Sequence, residues 1–328
     1  MNRRDFLKSS SVAAATALLA AQGLKPASAQ DKQTYTMVTF LSGIDYWKDC
    51  YRGMQDAAEF LGVEATYTGV PEYDITGEVR VLEETIAQTP SGILVTIANA
   101  EALAVPINAG IDAGIPIVAF DADSPLSKRY SFVGTGNYYA GVVAARYIGP
   151  LVGSGKVAAV TRPSQGNLAA RTQGFKETLA AEFPDVVLDD SAIIDNEGSP
   201  TVTATKVSAL LQAEPEIKGI FSTSAEAAVG ASQALRESGV IANVAHIGFD
   251  YDEATLDLID RGDLGATLAQ GTWQMGFWGM MFIYMVANGK IESVTDWKAA
   301  GISPLPPNVD TGVVVINKDN SKFWRAAK

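Results

Sequence analysis

Hydrophobic and polar positions follow two kinds of pattern along most of this chain. Short apolar runs, typical of buried strands, are separated by longer stretches with the period of an amphipathic helix. The apolar runs lie at residues 35–41, 63–68, 92–97, 115–121, 156–161, 219–224, 243–250 and 264–270. The helical patterns between them include residues 74–88, 137–150, 167–181 and 225–237. This alternation predicts an α/β protein in which helices cover both faces of parallel sheets.

The alternation occurs twice, which predicts two doubly wound, Rossmann-like lobes. No Pro- or Gly-rich linker separates the two series. After the second series come one more helical stretch, the Pro-rich "ISPLPPNVD" and the strand-like "TGVVVINK". The chain therefore crosses between lobes more than once, and we expect a hinge of several strands. The predicted division is residues 31–135 plus 271–300 for the first lobe, and 136–270 plus 301–328 for the second.

The first 29 residues have the pattern of an export signal. A basic start is followed by an Ala-rich middle and a small-residue end, with Arg3-Arg4 in the position of a twin-arginine motif. An ordinary secretory signal with a chance arginine pair is the alternative. We expect cleavage after Ala29. No later stretch is as long and apolar as a transmembrane helix, so the mature protein is predicted to be periplasmic.

Charge and composition exclude several classes of function. The net charge is −12, and about −15 without the first 29 residues, which carry four of the basic residues and one acidic residue. Such a surface repels nucleic acid, so no nucleic-acid partner is expected. Cys50 is the only cysteine, which rules out an intramolecular disulfide. We expect a monomer.

Motifs for catalysis and for cofactors are absent or incomplete. His246 is the only histidine, so a site with two histidine ligands is impossible and no metal is expected. There is no P-loop and no G-x-S-x-G motif. The segment "GTGNYYAG" has only part of a dinucleotide fingerprint. We therefore predict no cofactor and no enzyme activity. Asp121 and Asp250 are a conceivable glycosidase pair, but they belong to different lobes, which suits clamping better.

Polar and aromatic side chains follow the ends of the predicted strands. Ligands of open α/β sheets bind at these carboxyl ends, so the residues found there are the candidate ligand contacts. They are Tyr46, Trp47, Asp121, Asp123, Arg171, Ser224, Asp250 and Gln270, with Asn196 in the loop after "SAIID". Simpler roles stay open: the aspartates as helix N-caps, Trp47 as a core residue, and Arg171 in a surface ion pair.

At these positions the chain resembles the periplasmic sugar-binding proteins of ABC importers, of the ribose-binding-like type. Five motifs carry the resemblance over essentially the whole mature chain: the aromatic pair Tyr46-Trp47 followed by Gly53, "IPIVAFD" ending in Asp121, "AAR" with Gly174-Phe175, "IGFD" ending in Asp250, and "LGATLAQ" ending in Gln270. The resemblance implies the type I periplasmic binding protein fold, with two lobes that close on a ligand and then dock on an ABC permease.

The resemblance also implies roles for the candidate residues. Trp47 is the first choice for an apolar plate against a sugar face, with Tyr46 beside it. Asp121 and Asp250 would accept hydrogen bonds from hydroxyls, and Arg171 would donate a fork of hydrogen bonds. Gln270, near the hinge, would both donate and accept.

Two departures from the family pattern bear on specificity. Ala122 stands where many ribose-type members have arginine, and Ser224 where many have Asn or Asp. The pattern of hydroxyls that the site satisfies should therefore differ, and ribose itself is not expected. The predicted function is capture of a monosaccharide or polyol for import. The alternative is reception of a sugar-derived signal, such as a furanosyl autoinducer.

Overall fold

The structure is a computed structural model of the 328-residue chain. It describes residues 32–44, 46–297 and 299–325. The predicted export signal and its cleavage site after Ala29 lie outside the described residues. In the described part of the chain, no helix has the length and apolarity needed to cross a membrane.

The first lobe is built on a six-stranded parallel sheet. Its strands, numbered in chain order and given in their order across the sheet, are β12 (Asn308–Asp310), β5 (Phe132–Gly134), β4 (Ile117–Phe120), β3 (Gly92–Val95), β1 (Thr34–Thr39) and β2 (Glu64–Gly69). The four predicted strands of this lobe all form, and β5 and β12 add two short edge pairings.

The second lobe has a sheet of the same kind. Its strands, in order, are β13 (Val313–Asn317), β11 (Ala266–Gln270), β10 (Ala245–Phe249), β9 (Ile217–Ser222), β6 (Gly155–Thr161) and β7 (Val186–Val187), with β8 (Ile193–Asp195) pairing further along β6. All pairings are parallel except that of β13 with β11. The predicted α/β fold class is confirmed: two doubly wound, Rossmann-like lobes joined by several crossings.

Helices cover both faces of the two sheets. They are α1 (Tyr46–Leu61), α2 (Ile75–Ala87), α3 (Ala100–Asp112), α4 (Asn137–Val152), α5 (Gly166–Glu182), α6 (Pro200–Ala213), α7 (Ala225–Glu237), α8 (Glu253–Arg261), α9 (Thr272–Ala287) and α10 (Ser321–Arg325), with a 3₁₀ turn at Asp190–Ala192. Although α9 follows the second sheet in the chain, it packs on α1 and on strands of the first lobe.

Burial of both sheet faces explains the continuous apolar runs in the sequence. In β4, Val118 and Phe120 pack into the cluster that contains α1 and α9. Ile117 and Ala119 point to the opposite face, into the cluster beneath α2 and α3. Because successive side chains alternate between faces, a strand covered on both sides has apolar residues at successive positions.

The chain crosses between the lobes three times, at residues 135–136, at 271 and at 311–312. Asp310 joins two of these crossings, since its Oδ1 accepts hydrogen bonds from the backbone N–H groups of Gly136 and Gly312, at 2.6 and 2.7 Å. One detail differs from the predicted division of the chain. Strand β12 pairs with β5 in the first sheet, so residues 308–310 belong to the first lobe and not to the second.

A close helix contact in the second lobe positions the start of α5. A Cβ atom on Gly141 of α4 would lie 2.0 Å from the carbonyl oxygen of Arg171, and one on Gly174 of α5 would lie 2.0 Å from that of Tyr138. Neither position has room for a side chain. The absence of both side chains lets the helix backbones touch, and this sets the depth at which Arg171 enters the lobe.

Candidate functional site

Asp121 and Asp250 occupy equivalent positions on the two lobes. Asp121 directly follows β4 and Asp250 directly follows β10. Both have positive φ angles, 61° and 68°, a region that residues other than glycine adopt infrequently and often at functional sites. The carboxylates lie within electrostatic reach of each other. The two lobes therefore place equivalent carboxylates at the boundary between them, the candidate cleft.

Arg171 lies on the second-lobe side of this cleft, and its side chain is almost wholly committed to protein partners. It is 3% exposed. Its Nε donates to Asn137 Oδ1 at 2.8 Å, Nη1 to the Thr223 carbonyl at 2.8 Å, and Nη2 to Gln270 Oε1 at 3.1 Å. The guanidinium carbon lies 3.6 Å from the centre of the Phe249 ring. These contacts hold the cation rigid before any ligand arrives.

Gln270 connects this cation to the hinge. Its Oε1 also accepts a hydrogen bond of 2.7 Å from the Thr135 hydroxyl in the first crossing, and its Nε2 donates to Asp250 Oδ1 at 2.8 Å. Gln270 itself ends β11 at the second crossing. The amide orientation is thereby determined, since its oxygen faces two donors and its nitrogen a carboxylate. Arg171, Gln270, Asp250 and the first crossing form one hydrogen-bonded unit.

The titrating groups of the cleft influence one another. Burial raises the pKa of Asp250 to about 6, and Arg171 and the Gln270 hydrogen bond oppose that rise. Burial likewise raises the pKa of Asp121, opposed by the hydrogen bond from Tyr46 and by Arg171. Burial and the two carboxylates raise the pKa of Tyr46. The phenol therefore stays protonated and donates to Asp121.

The two adjacent aromatics of α1 have different surroundings. Tyr46 donates from its hydroxyl to Asp121 Oδ1 at 2.6 Å, so its ring lies beside the cleft carboxylate. Trp47, the expected stacking plate, is 3% exposed and packs edge-on against Phe40 and Phe120. Its Nε1 donates to the Leu41 carbonyl at 2.8 Å. Trp47 is thus a residue of the first-lobe core, and Tyr46 is the aromatic beside Asp121.

Asp123, a second carboxylate after β4, is occupied by a different partner. Both of its oxygens accept hydrogen bonds from Arg129, from Nε and Nη2. Arg129 also donates to the Pro307 carbonyl at 2.8 Å and to Asn308 Oδ1 at 3.1 Å. Because these two residues belong to β12 and its approach, Asp123 ties that strand to the first lobe. The structure does not bring its carboxylate together with Asp121 and Asp250.

Buried polar atoms without a hydrogen-bond partner cluster at the carboxyl ends of the strands. In the described residues they are Glu78 Oε1, Arg162 Nε, Asn196 Nδ2 and Ser224 Oγ, together with Thr96 Oγ1, whose hydroxyl lies close enough to Asp121 to lower the pKa of that carboxyl. Four of these residues follow β3, β6, β8 or β9 within two positions, and Glu78 accepts from the Ala98 N–H just after β3. Leaving such an atom unpaired costs about 1–3 kcal/mol, so this edge is the candidate place for a ligand.

Two charged residues of this edge, Arg162 and Glu226, are absent from the sequence-based prediction. Arg162 is the first residue after β6, and Glu226 lies in the first turn of α7, after β9. Their side chains approach to 3.6 Å, and the Glu226 charge raises the pKa of Asp250 further. The rule that ligand contacts follow strand ends would have selected Arg162 directly.

Tyr251 makes a direct contact between the lobes. Its hydroxyl donates to Asp49 Oδ2 of α1 at 2.5 Å and lies 2.8 Å from the Thr272 hydroxyl. A cavity of about 330 Å³ lies beside this contact and the hinge; its walls include Arg52, Gln270, Trp273, Thr311 and Trp324. The contact joins the lobes where the chain crosses between them.

The described residues contain no group of three or more His, Cys, Asp and Glu side chains arranged to hold a metal ion. His246 lies inside β10, where its Nε2 is 2.9 Å from the Ser222 hydroxyl and its Nδ1 is 3.3 Å from the Ser232 hydroxyl. Burial lowers the pKa of His246 to about 3. The imidazole is therefore a neutral, hydrogen-bonded core residue.

Comparison with known proteins agrees with this geometry. A sugar ABC transporter (sugar-binding protein) from Bacillus halodurans has a TM-score of 0.85 and 41% identity, covering 89% of this chain and 100% of that one. An arabinose-binding protein from Geobacillus stearothermophilus has a TM-score of 0.82 and 40% identity, covering 89% and 99%. A xylose/arabinose-binding protein from Sulfolobus acidocaldarius is 27% identical over 82% of this chain and 67% of its own length.

Two family profiles match successive parts of the chain. The profile of the twin-arginine translocation signal matches residues 1–20, which confirms the predicted export route and a periplasmic location. The profile of the periplasmic binding protein domain matches residues 35–291, most of the chain, including both lobes and two of the three crossings. The chain belongs to the periplasmic binding protein family.

Proposed function

We propose that this protein captures a neutral monosaccharide or polyol between its lobes and delivers it to an ABC import permease. The observation that carries the proposal is the set of unpartnered or singly bonded polar atoms at the strand ends of both lobes. Asp121 and Asp250 each have one oxygen held by a protein donor. Their remaining oxygens are strong acceptors for hydroxyl groups. The similar proteins that are named for binding arabinose or xylose support the same ligand class.

The charge balance of the cleft favours a neutral ligand. The cleft contains three carboxylates, those of Asp121, Asp250 and Glu226, which interact electrostatically or share neighbours. It contains two guanidinium groups, those of Arg162 and Arg171. An ionised site thus has one more negative than positive charge, and a carboxylate or phosphate ligand would be repelled. A polyhydroxylated ligand supplies donors for the carboxylates and acceptors for the arginines without adding charge.

The hinge network explains how binding would close the lobes. Arg171 and Gln270 are already fixed to the first crossing through Asn137 and Thr135. A ligand that contacts Asp121 on one lobe and Asp250 on the other gains contacts only in the closed form. It therefore shifts the population of the two-lobe protein toward closure. The ring of Tyr46, oriented by its hydrogen bond to Asp121, is the proposed apolar plate against one face of the sugar.

No turnover is proposed for this site. Both cleft carboxylates belong to lobes that move relative to each other, so their separation would not stay at the distance that acid–base hydrolysis needs. The closed form would instead dock on the membrane subunits of a permease. Incubation with nitrophenyl glycosides should release no nitrophenol at a catalytic rate; steady release by the purified protein would contradict the binding role.

A thermal-shift screen tests the proposal. The purified mature protein is mixed with pentoses, hexoses, deoxysugars and polyols, and with uronates as anionic counterparts. A ligand that binds only the folded state stabilises it by about 4 kcal/mol at a thousand times its Kd. At least one neutral sugar or polyol should raise the unfolding midpoint, and the uronates should not. A midpoint that no member of the panel moves would overturn the ligand class.

A pair of variants connects that shift to the cleft. Asp250→Asn removes a charged acceptor and should weaken binding of the sugar that the screen identifies by about 10- to 100-fold, since hydrogen bonds to charged groups contribute about 1.5–3 kcal/mol. Asp319→Asn makes the same chemical change in an exposed turn and should leave affinity unaltered. Equal affinities of the two variants by isothermal titration calorimetry would remove Asp250 from the site.

A further inference from the structure

Arg162 and Glu226 form an ion pair on the second-lobe wall of the cleft, away from the hinge. Arg162 follows β6, and Glu226 opens α7 after the neighbouring strand β9. Arg162 Nη2 lies 3.6 Å from Glu226 Oε1, and the two side chains are 30% and 28% exposed. The contact between the charged groups leaves the Arg162 Nε, which is buried, without a partner.

The surroundings of Arg162 are shaped to hold the guanidinium in place. A Cβ atom on Gly198 would lie 2.9 Å from Arg162 Nη1, and Gly198 has a φ of 72° that other residues rarely adopt. The guanidinium therefore rests against the loop after β8. In the same loop the Gly198 N–H donates to Asn196 Oδ1 at 3.1 Å. This bond fixes the orientation of the Asn196 amide.

Two further buried polar atoms without partners lie in this region. Asn196 is fully buried and its Nδ2 has no hydrogen-bond acceptor, while Ser224 is 7% exposed and its hydroxyl is unpartnered. Ser224 also precedes α7 without capping it through its side chain. With the Arg162 Nε, these atoms make three unused hydrogen-bonding groups at the ends of β6, β8 and β9. Two of the three are obligate donors, so the group facing them must accept.

The spacing of the strands relates this region to the hinge-side residues. In the second sheet β6 is two strands away from β10, the strand that ends at Asp250. Neighbouring strands are about 4.8 Å apart, so the two strand ends are separated by about 10 Å. Hydrogen bonds of about 2.8 Å at each end leave about 4–5 Å between the bonded ligand atoms. That length corresponds to oxygens on opposite sides of one sugar ring.

Building on the proposed function, we propose that Arg162, neutralised by Glu226, determines specificity by donating from Nε to an uncharged oxygen at the end of the sugar remote from the hinge. Asn196 and Ser224 complete this second subsite. Glu226 lies 3.6 Å from Nη2 and so neutralises the guanidinium on a side that would otherwise attract a carboxylate. The ion pair thus makes the subsite select a hydroxyl over an acid group, while Asp121, Asp250 and Arg171 hold the other end of the ligand.

Deoxy sugars test the role of Arg162. The probe is the tightest binder among L-arabinose, D-ribose, D-xylose, D-glucose and D-galactose, together with its monodeoxy derivatives, measured by titration calorimetry. On the wild type, one derivative should bind at least tenfold more weakly because it lacks the oxygen that Arg162 contacts. On Arg162→Met, that derivative and the parent sugar should bind equally, and the parent itself at least tenfold more weakly than to the wild type.

Matched controls keep the outcomes distinct. Arg146→Met, an exposed arginine of α4, should leave the discrimination of the wild type unchanged, and far-ultraviolet circular dichroism should show both variants folded. If Arg162→Met still discriminates against the same derivative as the wild type does, the inference is overturned. If the wild type binds none of the five sugars and no member of the thermal-shift panel, the proposed function is overturned as well.

A second variant tests the role of Glu226. Glu226→Gln frees the guanidinium fork and removes a negative charge, so the affinity for D-galacturonate relative to D-galactose should rise at least tenfold, and likewise for D-glucuronate relative to D-glucose. A rise supports the assignment of Glu226 as the group that excludes acids. Unchanged ratios, with the neutral sugars still bound, would show that the ion pair does not face the ligand.

Discussion

Replacing Arg171 with methionine should lower both the stability of the fold and the affinity for sugar, because this buried cation bonds to several residues of the cleft. Its side chain is 3% exposed and makes hydrogen bonds to Asn137, the Thr223 carbonyl and Gln270. Methionine keeps only the aliphatic stem of the side chain, and the guanidinium that lies over the Phe249 ring is lost. The change removes all three hydrogen bonds and the positive charge that faces Asp121 and Asp250.

The expected magnitude follows from the burial of these charges. Removing one partner of a buried charged group typically costs about 3–5 kcal/mol, because the remaining charges lose their compensation. For a protein of this size, about 2 °C of unfolding midpoint is lost for each kcal/mol. Arg171→Met should therefore lower the midpoint by about 6–10 °C. Sugar binding should become too weak to measure by calorimetry, since the hinge-side acceptors are no longer held.

The pH dependence of the free energy of unfolding tests whether the cleft carboxylates cause the loss of stability in Arg171→Met. Burial raises the pKa of Asp250 from 3.8 to about 6 in the presence of Arg171. A raised carboxyl pKa means that the folded state keeps a proton that the unfolded state has released, so stability falls as pH rises between the two values. Without Arg171 the folded pKa rises further. The difference in free energy of unfolding between Arg171→Met and the wild type should hence be larger at pH 8 than at pH 5.

Urea unfolding at pH 5 and pH 8, followed by circular dichroism, measures both effects. The control is Arg146→Met, which removes an exposed arginine paired with Glu182 on neighbouring helices. This change should have no measurable effect, because solvent screens the exposed pair. The reasoning about buried charge is refuted if Arg171→Met destabilises no more than this control, or if its cost is the same at both pH values.

Three further changes have definite expected outcomes. Burial raises the pKa of Glu78 from 4.5 to about 8, so the free energy of unfolding of the wild type should fall by up to about 5 kcal/mol as pH rises through that range. Glu78→Gln should make the free energy from urea unfolding nearly independent of pH there. Wild-type and variant profiles that run parallel against pH would contradict this. Tyr251→Phe removes the hydroxyl that bonds to Asp49 across the lobes, so sugar affinity should fall about fivefold. Small-angle scattering of the unliganded variant should show a larger radius of gyration than that of the wild type. An unchanged radius would count against a role of this contact in closing the lobes. Asp123→Asn breaks the pairing with Arg129 and should lower the unfolding midpoint while leaving sugar affinity intact, whereas a loss of affinity would return Asp123 to the ligand site.

Much of the architecture is readable in the sequence because both faces of a parallel sheet are buried. Strands such as β4 appear as uninterrupted apolar runs, and the helices between them as amphipathic ones. Two such series without a linker indicate two lobes with several crossings. Short edge strands such as β8 and β12 lack this signal, since they have only three residues each and are covered by little besides their one neighbour.

Part of the site also follows from sequence, through the topology of the fold. The carboxyl ends of parallel strands meet at one edge of a sheet, so Asp250 and Gln270 come together in the second lobe, and Asp121 lies at the corresponding edge of the first. Arg171 and Tyr46 join them because α5 and α1 begin at that same edge. Arg162 satisfies the same rule, as the residue directly after β6, and shows that the rule selects more residues than the family pattern alone.

Only the tertiary structure decides which of these side chains face the cleft and which are used by the protein itself. Tyr46 and Trp47 are adjacent in sequence, yet packing against Phe40 and Phe120 buries the second ring and leaves the first beside Asp121. Asp123 is committed to Arg129, which in turn holds Asn308, 179 residues further along the chain. Local patterns determine secondary structure because propensity and periodicity act over a few residues. The partners of a charge or a ring are determined by packing between segments that are distant in sequence.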